Sequence, residues 1–185
     1  MRMRRHGLFA HVALAALLAI PSCSNPEGTS TARHVASAYF SLADYFTEEA
    51  ARLQRADPEI IKTVSKNGDG EQKKVRVTDW RTEFGLFIDA DINKPAWQGS
   101  YRVDSTDFSL TYTSTDPNLR TKEIRVEKSD AGTITHVRVT NAVHNMLYQT
   151  DELLEYYVDS LYRITKQQHV RIIGKSHYTV TGEWQ

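Results

Sequence analysis

The sequence predicts an α+β fold: a curved antiparallel β-sheet, shaped as a half-barrel-like meander, packed by two N-terminal helices. Three observations predict it. Apolar residues recur at helical spacing over residues 32–56 and 79–93. A turn rich in Asn and Gly joins two β-capable runs within residues 60–78, which is typical of a hairpin. Over residues 99–184, short alternating runs follow one another without a helical crossover, which predicts an antiparallel sheet whose concave face the helices cover.

The first 22 residues have the layout of a secretory signal peptide. Three arginines stand among the first five residues, a mostly apolar run of 13 residues covers Leu8–Ile20, and Pro21 and Ser22 precede Cys23. A helix needs about 20 apolar residues to cross a bilayer. Because this run is shorter, we expect residues 1–22 to be removed as a signal rather than kept as an anchor helix.

Cys23 is the only cysteine in the chain, so it cannot form an intrachain disulfide. Together with the residues before it, Ile20-Pro21-Ser22-Cys23 resembles the lipobox of bacterial lipoproteins, although Pro21 departs from the small residue that is usual at its place. The resemblance implies that Cys23 becomes the mature N-terminus and carries diacylglycerol and an amide-linked acyl chain. Several acyl chains hold a protein in a bilayer stably, whereas one holds it only marginally. The alternative is a secreted protein with an unmodified cysteine at the end of its signal.

The residues after Cys23 indicate where the anchored protein would be found. Ser24 follows the cysteine in place of an Asp, and residues 24–28 hold one acidic side chain rather than an acidic cluster. We therefore expect attachment to the outer membrane, facing the periplasm. Residues 23–31 are polar and rich in small and turn-forming side chains, which predicts a lipidated, flexible tether.

Length and charge predict one domain, residues 32–185, behind the tether. The precursor has 185 residues with 23 basic and 23 acidic side chains, so it is near neutral. A near-neutral chain without a basic stripe gives no reason to expect nucleic acid as a partner. A domain of this size can bury a core without disulfides.

The predicted first helix, residues 32–56, ends before Pro58 and has a continuous apolar face. That face consists of Val35, Tyr39, Leu42, Phe46, Ala50 and Leu53. We expect it to cover the sheet. The alternative is a helix that lies on a membrane surface, which Glu48 and Glu49 disfavour because such helices usually carry a basic polar face.

The predicted hairpin, residues 60–78, turns at Asn67-Gly68-Asp69-Gly70. Its arms are rich in lysine, which favours an exposed position at an edge of the sheet. The predicted second helix, residues 79–93, begins after the N-cap Asp79 and ends before Pro95.

Two features stand out in the predicted sheet, residues 99–184. The apolar alternation shifts by one near Thr135 or His136, which predicts a β-bulge. The pattern over residues 153–161 fits either a strand or a short helix.

Fragments that look like binding motifs are incomplete. Gly174-Lys175-Ser176 resembles the end of a phosphate-binding loop, but the glycine needed five residues earlier is His169. Asp89, Asp91 and Asn93 have the opening spacing of a calcium loop, but the glycine and the glutamate that should follow are absent. We expect the three to be solvated residues at the end of a helix.

Histidines offer no complete site either. His136 and His144 flank a predicted turn near Thr140-Asn141 and could face each other across a hairpin, but no third ligand accompanies them, and catalytic zinc sites need three. The sequence contains neither an HExxH motif nor a nucleophile elbow, and Cys23 is assigned to lipid. We therefore predict no catalytic residue, no metal and no cofactor.

Aromatic side chains leave two interpretations open. Those of interest are Trp80, Trp97, Tyr148, Tyr156, Tyr157, Tyr162 and Tyr178. They could pack in the core, since aromatic residues are favoured in strands. They could instead line an apolar cavity between sheet and helices that would suit a lipid-like ligand.

Several segments resemble a family of small uncharacterised lipoproteins from Bacteroidota. These are Asp91-Ile92-Asn93-Lys94-Pro95-Ala96-Trp97, Leu147-Tyr148-Gln149-Thr150, and Asp159-Ser160-Leu161-Tyr162-Arg163-Ile164 with Gln167-Gln168. The likeness runs from about Tyr39 to the C-terminus and implies no established activity. In architecture alone, the predicted domain is similar to the half-barrels of the lipoprotein carriers LolA and LolB, which hold acyl chains in the hollow of the sheet; fold does not imply function.

Three functions follow as hypotheses. The first is a non-enzymatic, membrane-anchored envelope lipoprotein that binds an apolar or acyl ligand in its half-barrel. The second is a structural or assembly module that binds another envelope protein, which predicts a filled core and an exposed apolar patch. The third is a hydrolase, which predicts polar groups that converge in a cleft.

Overall fold

The computed structural model describes residues 39–185. In chain order its elements are α1 Leu42–Ala56, β1 Glu59–Lys66, β2 Asp69–Arg76, α2 Trp80–Glu83, α3 Gly85–Asp89, a 3-10 turn at Pro95–Trp97, β3 Tyr101–Ser105, β4 Ser109–Ser114, β5 Thr121–Lys128, β6 Ile134–His144, β7 Tyr148–Tyr157, β8 Leu161–Val170 and β9 Gly174–Trp184. The predicted signal peptide, Cys23, the tether and the start of the predicted first helix lie outside the described residues.

These nine strands form one open antiparallel sheet in the order β2-β1-β9-β8-β7-β6-β5-β4-β3. The predicted α+β class, with helices packed on an antiparallel sheet, is confirmed. From β3 to β9 each strand pairs with its neighbours in sequence. β1 instead pairs with β9, with Ile60 opposite Trp184, so the N-terminal hairpin extends the C-terminal side of the sheet. The charged β2 is therefore an edge strand, where lysines discourage pairing with other chains.

Both predicted helices are shorter than expected. Among the described residues the first helix begins at Leu42, because Ser41 is extended and its hydroxyl accepts a hydrogen bond from the Asp44 amide, which caps the helix. The predicted second helix is divided into α2 and α3 at Phe84, whose ψ of 9° departs from helical geometry. It ends at Asp89 rather than residue 93.

Within the sheet, the predicted bulge is confirmed at Thr135. Glu127 pairs with His136 and Lys128 with Ile134, so Thr135 is the extra residue. The turn predicted near Thr140-Asn141 is wrong, because both residues lie inside the continuous strand β6. The ambiguous residues 153–157 are strand, and the chain turns only after Tyr157.

Aromatic side chains fill the space between the helices and the sheet. We call this set the aromatic cluster: Phe46, Trp80, Phe84, Phe87, Tyr156, Tyr162 and Trp184. The rings of Phe46 and Phe87 stack at 4.5 Å, and those of Trp80 and Trp184 stack at 5.7 Å. Such ring pairs contribute beyond the area that they bury, so the helices and the sheet share one specific core.

Two buried tyrosine hydroxyls bind carboxylates on the helices. Tyr156 donates to Glu49 of α1, and Tyr162 donates to Glu83 of α2. Burial, reinforced by these carboxylates, raises the pKa of both tyrosines far above their ordinary value. Helices α1 and α2 are therefore each joined to the sheet by a polar contact within a largely apolar core.

Candidate functional site

The inner face of the sheet, which is the face under the helices, is largely occupied. Trp80, Phe84, Phe87, Tyr156 and Tyr162 are each fully buried. The hollow that could have held an acyl chain is therefore filled by side chains of the protein itself. For these residues the structure decides between the two interpretations of the aromatic side chains in favour of core packing.

A charged cluster occupies the part of the inner face that the aromatic cluster leaves open. Glu152 of β7 is 6% exposed and accepts hydrogen bonds from Arg120, at 2.6 Å, and Asn141, at 3.4 Å. The Lys166 ammonium lies 3.3 Å from its other oxygen. These four residues, the charged cluster, line a cavity of about 400 Å³.

The chemistry of the charged cluster is that of an ion pair. Burial would raise the pKa of Glu152, but hydrogen bonds and charge from Arg120 and Lys166 outweigh burial and lower that pKa. The Glu152 side chain is thus ionised at neutral pH, and both of its oxygens have partners within the charged cluster. Glu152 is therefore not placed to exchange a proton with a substrate. The Asn141 Oδ1 is buried without a hydrogen-bond partner among residues 39–185.

The sequence did not single out any member of the charged cluster. Its members come from the loop before β5 and from β6, β7 and β8, so pairing of the strands brings them together. One signal was present: Glu152 occupies the same phase of β7 as Thr150, Leu154 and Tyr156, all of which are buried. A carboxylate in the buried phase of a strand requires cationic or hydrogen-bonding partners nearby.

His136 and His144 lie eight residues apart on the same strand, about 26 Å by strand rise, so the expected pairing across a hairpin is wrong. His136 stacks on Tyr157 at 4.0 Å, and His144 contacts Asp151 at 2.9 Å. Within residues 39–185, His, Cys, Asp and Glu side chains nowhere gather in groups of three or more that could hold a metal ion.

The rejected calcium-like triad has a structural role. Asp91 accepts a hydrogen bond from the Ala43 amide, and Asn93 accepts one from the Tyr39 amide. These side chains satisfy backbone groups at the start of α1. The expectation that they are merely solvated is therefore wrong for Asp91 and Asn93.

The largest aliphatic side chains left in solvent meet at one end of the sheet. The turns β6–β7 and β8–β9 expose Met146, Leu147, Ile172 and Ile173, which we call the tip patch. The Arg171 amide donates to the Leu147 carbonyl at 3.1 Å, so the two turns touch. We call this end of the sheet the tip end. Sequence alone shows the two apolar pairs but not that they are neighbours.

Cys23 lies outside the described residues, so the structure does not place the predicted lipid site. Within residues 39–185, none of the helices has the length and apolar character that a membrane crossing requires. Comparisons of the chain with protein-family models, with curated proteins and with solved structures found no match.

Proposed function

We propose that this chain is a non-enzymatic lipoprotein of a bacterial envelope, anchored in the outer membrane by lipid on Cys23. Its domain works as a structural module that faces the periplasm and acts through its surface. The observation that carries this proposal is the combination of a largely filled inner face with an exposed tip patch. A module that acts by contact needs a solid core and an apolar surface, whereas a carrier needs an internal space.

The proposed anchor is supported by the sequence. An apolar run of 13 residues after three arginines ends at the only cysteine, in a lipobox-like context. The proposed membership of a Bacteroidota lipoprotein family has the same kind of support, from the segments that resemble that family.

An apolar or acyl ligand remains the alternative function. On the inner face, a space for it is the cavity that the charged cluster lines, where Leu86, Val143 and Tyr148 provide apolar surface and Arg120 and Lys166 provide charge. A ligand there would need an anionic group, so a bare hydrocarbon is not the expected occupant. The resemblance in architecture to carriers of acyl chains adds no support beyond this cavity.

Two measurements test the proposal. Intact-mass analysis of the exported protein should show acylated Cys23 as the first residue, and Cys23→Ser should release the protein from the membrane fraction. Native mass spectrometry of the mature chain carrying Cys23→Ser, purified gently, should show the bare polypeptide mass. An unmodified Cys23 would overturn the anchor, and a stoichiometric copurified lipid would favour the carrier alternative.

A further inference from the structure

We infer that the tip patch contacts the surface of a bilayer that contains anionic lipids, so that the domain stands on its membrane with the tip end down. The inference deepens the proposed function by naming the envelope component that the tip patch meets. Attachment near the tip end rests on the proposed lipid anchor, whereas the exposure and the charge of the tip patch do not.

Exposure of the four side chains is the first argument. Ile172 is 95% exposed, Met146 86%, Ile173 81% and Leu147 71%. Isolated exposed apolar residues are ordinary, but four large aliphatic side chains on two touching turns form a contiguous apolar projection. Transfer of such a projection from water into a nonpolar medium lowers the free energy.

The charges next to the tip patch indicate that the nonpolar medium is a bilayer with anionic lipids. Arg171 and Lys175 flank the aliphatic side chains in sequence, and neither residues 144–149 nor residues 169–177 contain an Asp or a Glu. Asp151 of β7, which lines a pocket together with Lys175, and Asp69 after the β1–β2 turn lie at the same end of the sheet but outside these two turns. Cations beside inserted apolar groups are attracted to anionic lipid headgroups. Tyr148, 40% exposed at the base of the first turn, has the amphipathic ring that is favoured at a membrane–water interface.

The path of the chain fits the same orientation. Tyr39 contacts the rings of Tyr101 and Tyr112, at 5.8 Å and 5.6 Å, at the start of β3 and the end of β4. Register places the start of β3 and the end of β4 at the tip end of the sheet. The described part of the chain therefore begins, at Tyr39, at the end of the sheet that carries the tip patch. Tyr39 is sixteen residues after Cys23, and a segment of that length can reach at most about 55 Å at full extension, enough for the tips to meet the bilayer that holds the lipid.

A protein partner fits this surface less well. A stable protein interface buries about 800 Å² on each partner and is built around pockets and flat complementary surfaces. The tip patch is two convex turns with two aliphatic side chains each, and its members project outward. Convex apolar points on turns that carry cations and no carboxylate favour insertion among lipids.

Vesicle cosedimentation of the mature chain carrying Cys23→Ser tests the inference without any contribution from the anchor. The chain should bind vesicles of phosphatidylethanolamine with phosphatidylglycerol, and should bind phosphatidylcholine vesicles much more weakly. Ile172→Asp should weaken binding by on the order of tenfold. Arg171→Gln and Lys175→Gln should each weaken it by about fivefold, and added salt should reduce these charge effects.

Phe108→Asp is the matched control. Phe108 is 55% exposed, but it lies at the turn between β3 and β4, at the opposite end of the sheet. The Phe108→Asp variant should bind vesicles as tightly as the parent chain does. Because Ile172 is almost fully exposed, Ile172→Asp should unfold as the parent does in urea; Met146→Asp provides a second variant should it not.

A fluorescent label gives an independent readout. In the Cys23→Ser background, Ile172→Cys carrying an environment-sensitive dye should shift to shorter wavelength on anionic vesicles, while Phe108→Cys should not. Absence of vesicle binding, binding that Ile172→Asp and Met146→Asp leave unchanged, or an unshifted dye at position 172 would overturn the inference. A failed lipidation measurement would overturn the anchor instead and leave this result standing.

Discussion

Gly182 of β9 lies against the ring of Tyr162, and the core leaves no room there for a side chain. A Cβ added at Gly182 would lie 2.1 Å from Cε1 and 2.5 Å from Cζ of that ring, whereas ordinary contact begins at 3.4 Å. The ring would have to move by more than an ångström. It is fully buried, it contacts Trp184 at 6.1 Å between centroids, and its hydroxyl donates to Glu83.

We expect Gly182→Ala to lower the free energy of unfolding by about 2.5–6 kcal/mol. Overpacking of a core typically costs about 1–3 kcal/mol. Displacement of the Tyr162 hydroxyl from a charged carboxylate costs about 1.5–3 kcal/mol more. Urea unfolding followed by tryptophan fluorescence measures the change, because Trp80 and Trp184 contact the displaced ring.

Gly85→Ala is the control for Gly182→Ala, since it makes the same chemical change where a Cβ meets nothing within 4 Å. It should cause no loss of stability. The double variant Gly182→Ala with Tyr162→Leu should lose less than the sum of the two single changes, because the smaller side chain relieves the clash. An unfolding free energy for Gly182→Ala within about 0.5 kcal/mol of the parent would refute the steric argument.

Three further predictions concern polar groups. The pKa of Glu152 is lowered on folding, so the stability that the ionised carboxylate contributes should be present above pH 4.5 and be lost as pH falls below that value. In a plot of unfolding free energy against pH, Glu152→Gln should therefore reduce the loss of stability at acid pH. The exposed Glu48→Gln should leave that loss unchanged. The pKa values of Tyr156 and Tyr162 are raised on folding, so the stability that their protonated hydroxyls contribute should be complete below pH 10.0 and be lost as pH rises beyond it. Ultraviolet absorbance measures tyrosine ionisation. Ionisation of all tyrosines near pH 10.0 in the still folded protein would contradict this prediction. Ser41→Ala should cost about 1 kcal/mol in urea unfolding through loss of the α1 cap, and an unchanged midpoint would show that the cap does not contribute.

Elements with a strong local pattern were predicted well. The antiparallel sheet over residues 99–184, the Asn67-Gly68 turn and the bulge at Thr135 each have a signal within a few residues of sequence. Element boundaries were harder. Periodicity continues through Phe84, a buried residue of the aromatic cluster, where the helix nevertheless breaks, so the apolar pattern did not reveal this boundary.

Candidate sites were harder still, because they depend on which strands are neighbours. The four members of the charged cluster span residues 120–166, and the halves of the tip patch are separated by the whole of β7 and β8. The expected pairing of His136 with His144 failed for the same reason: a continuous strand replaced the turn that would have brought them together.

From the amino-acid order come the signal-like start, the lone cysteine, the class of fold and the polarity of each strand face, since these depend on patterns a few residues long. Tertiary structure alone decided that β1 pairs with β9, that aromatic rings occupy much of the inner face, and that the turns carrying Met146 and Ile172 touch. Those outcomes follow from contacts between residues far apart in the chain. Their free energy arises only once the sheet has assembled, so short-range patterns carry no record of them.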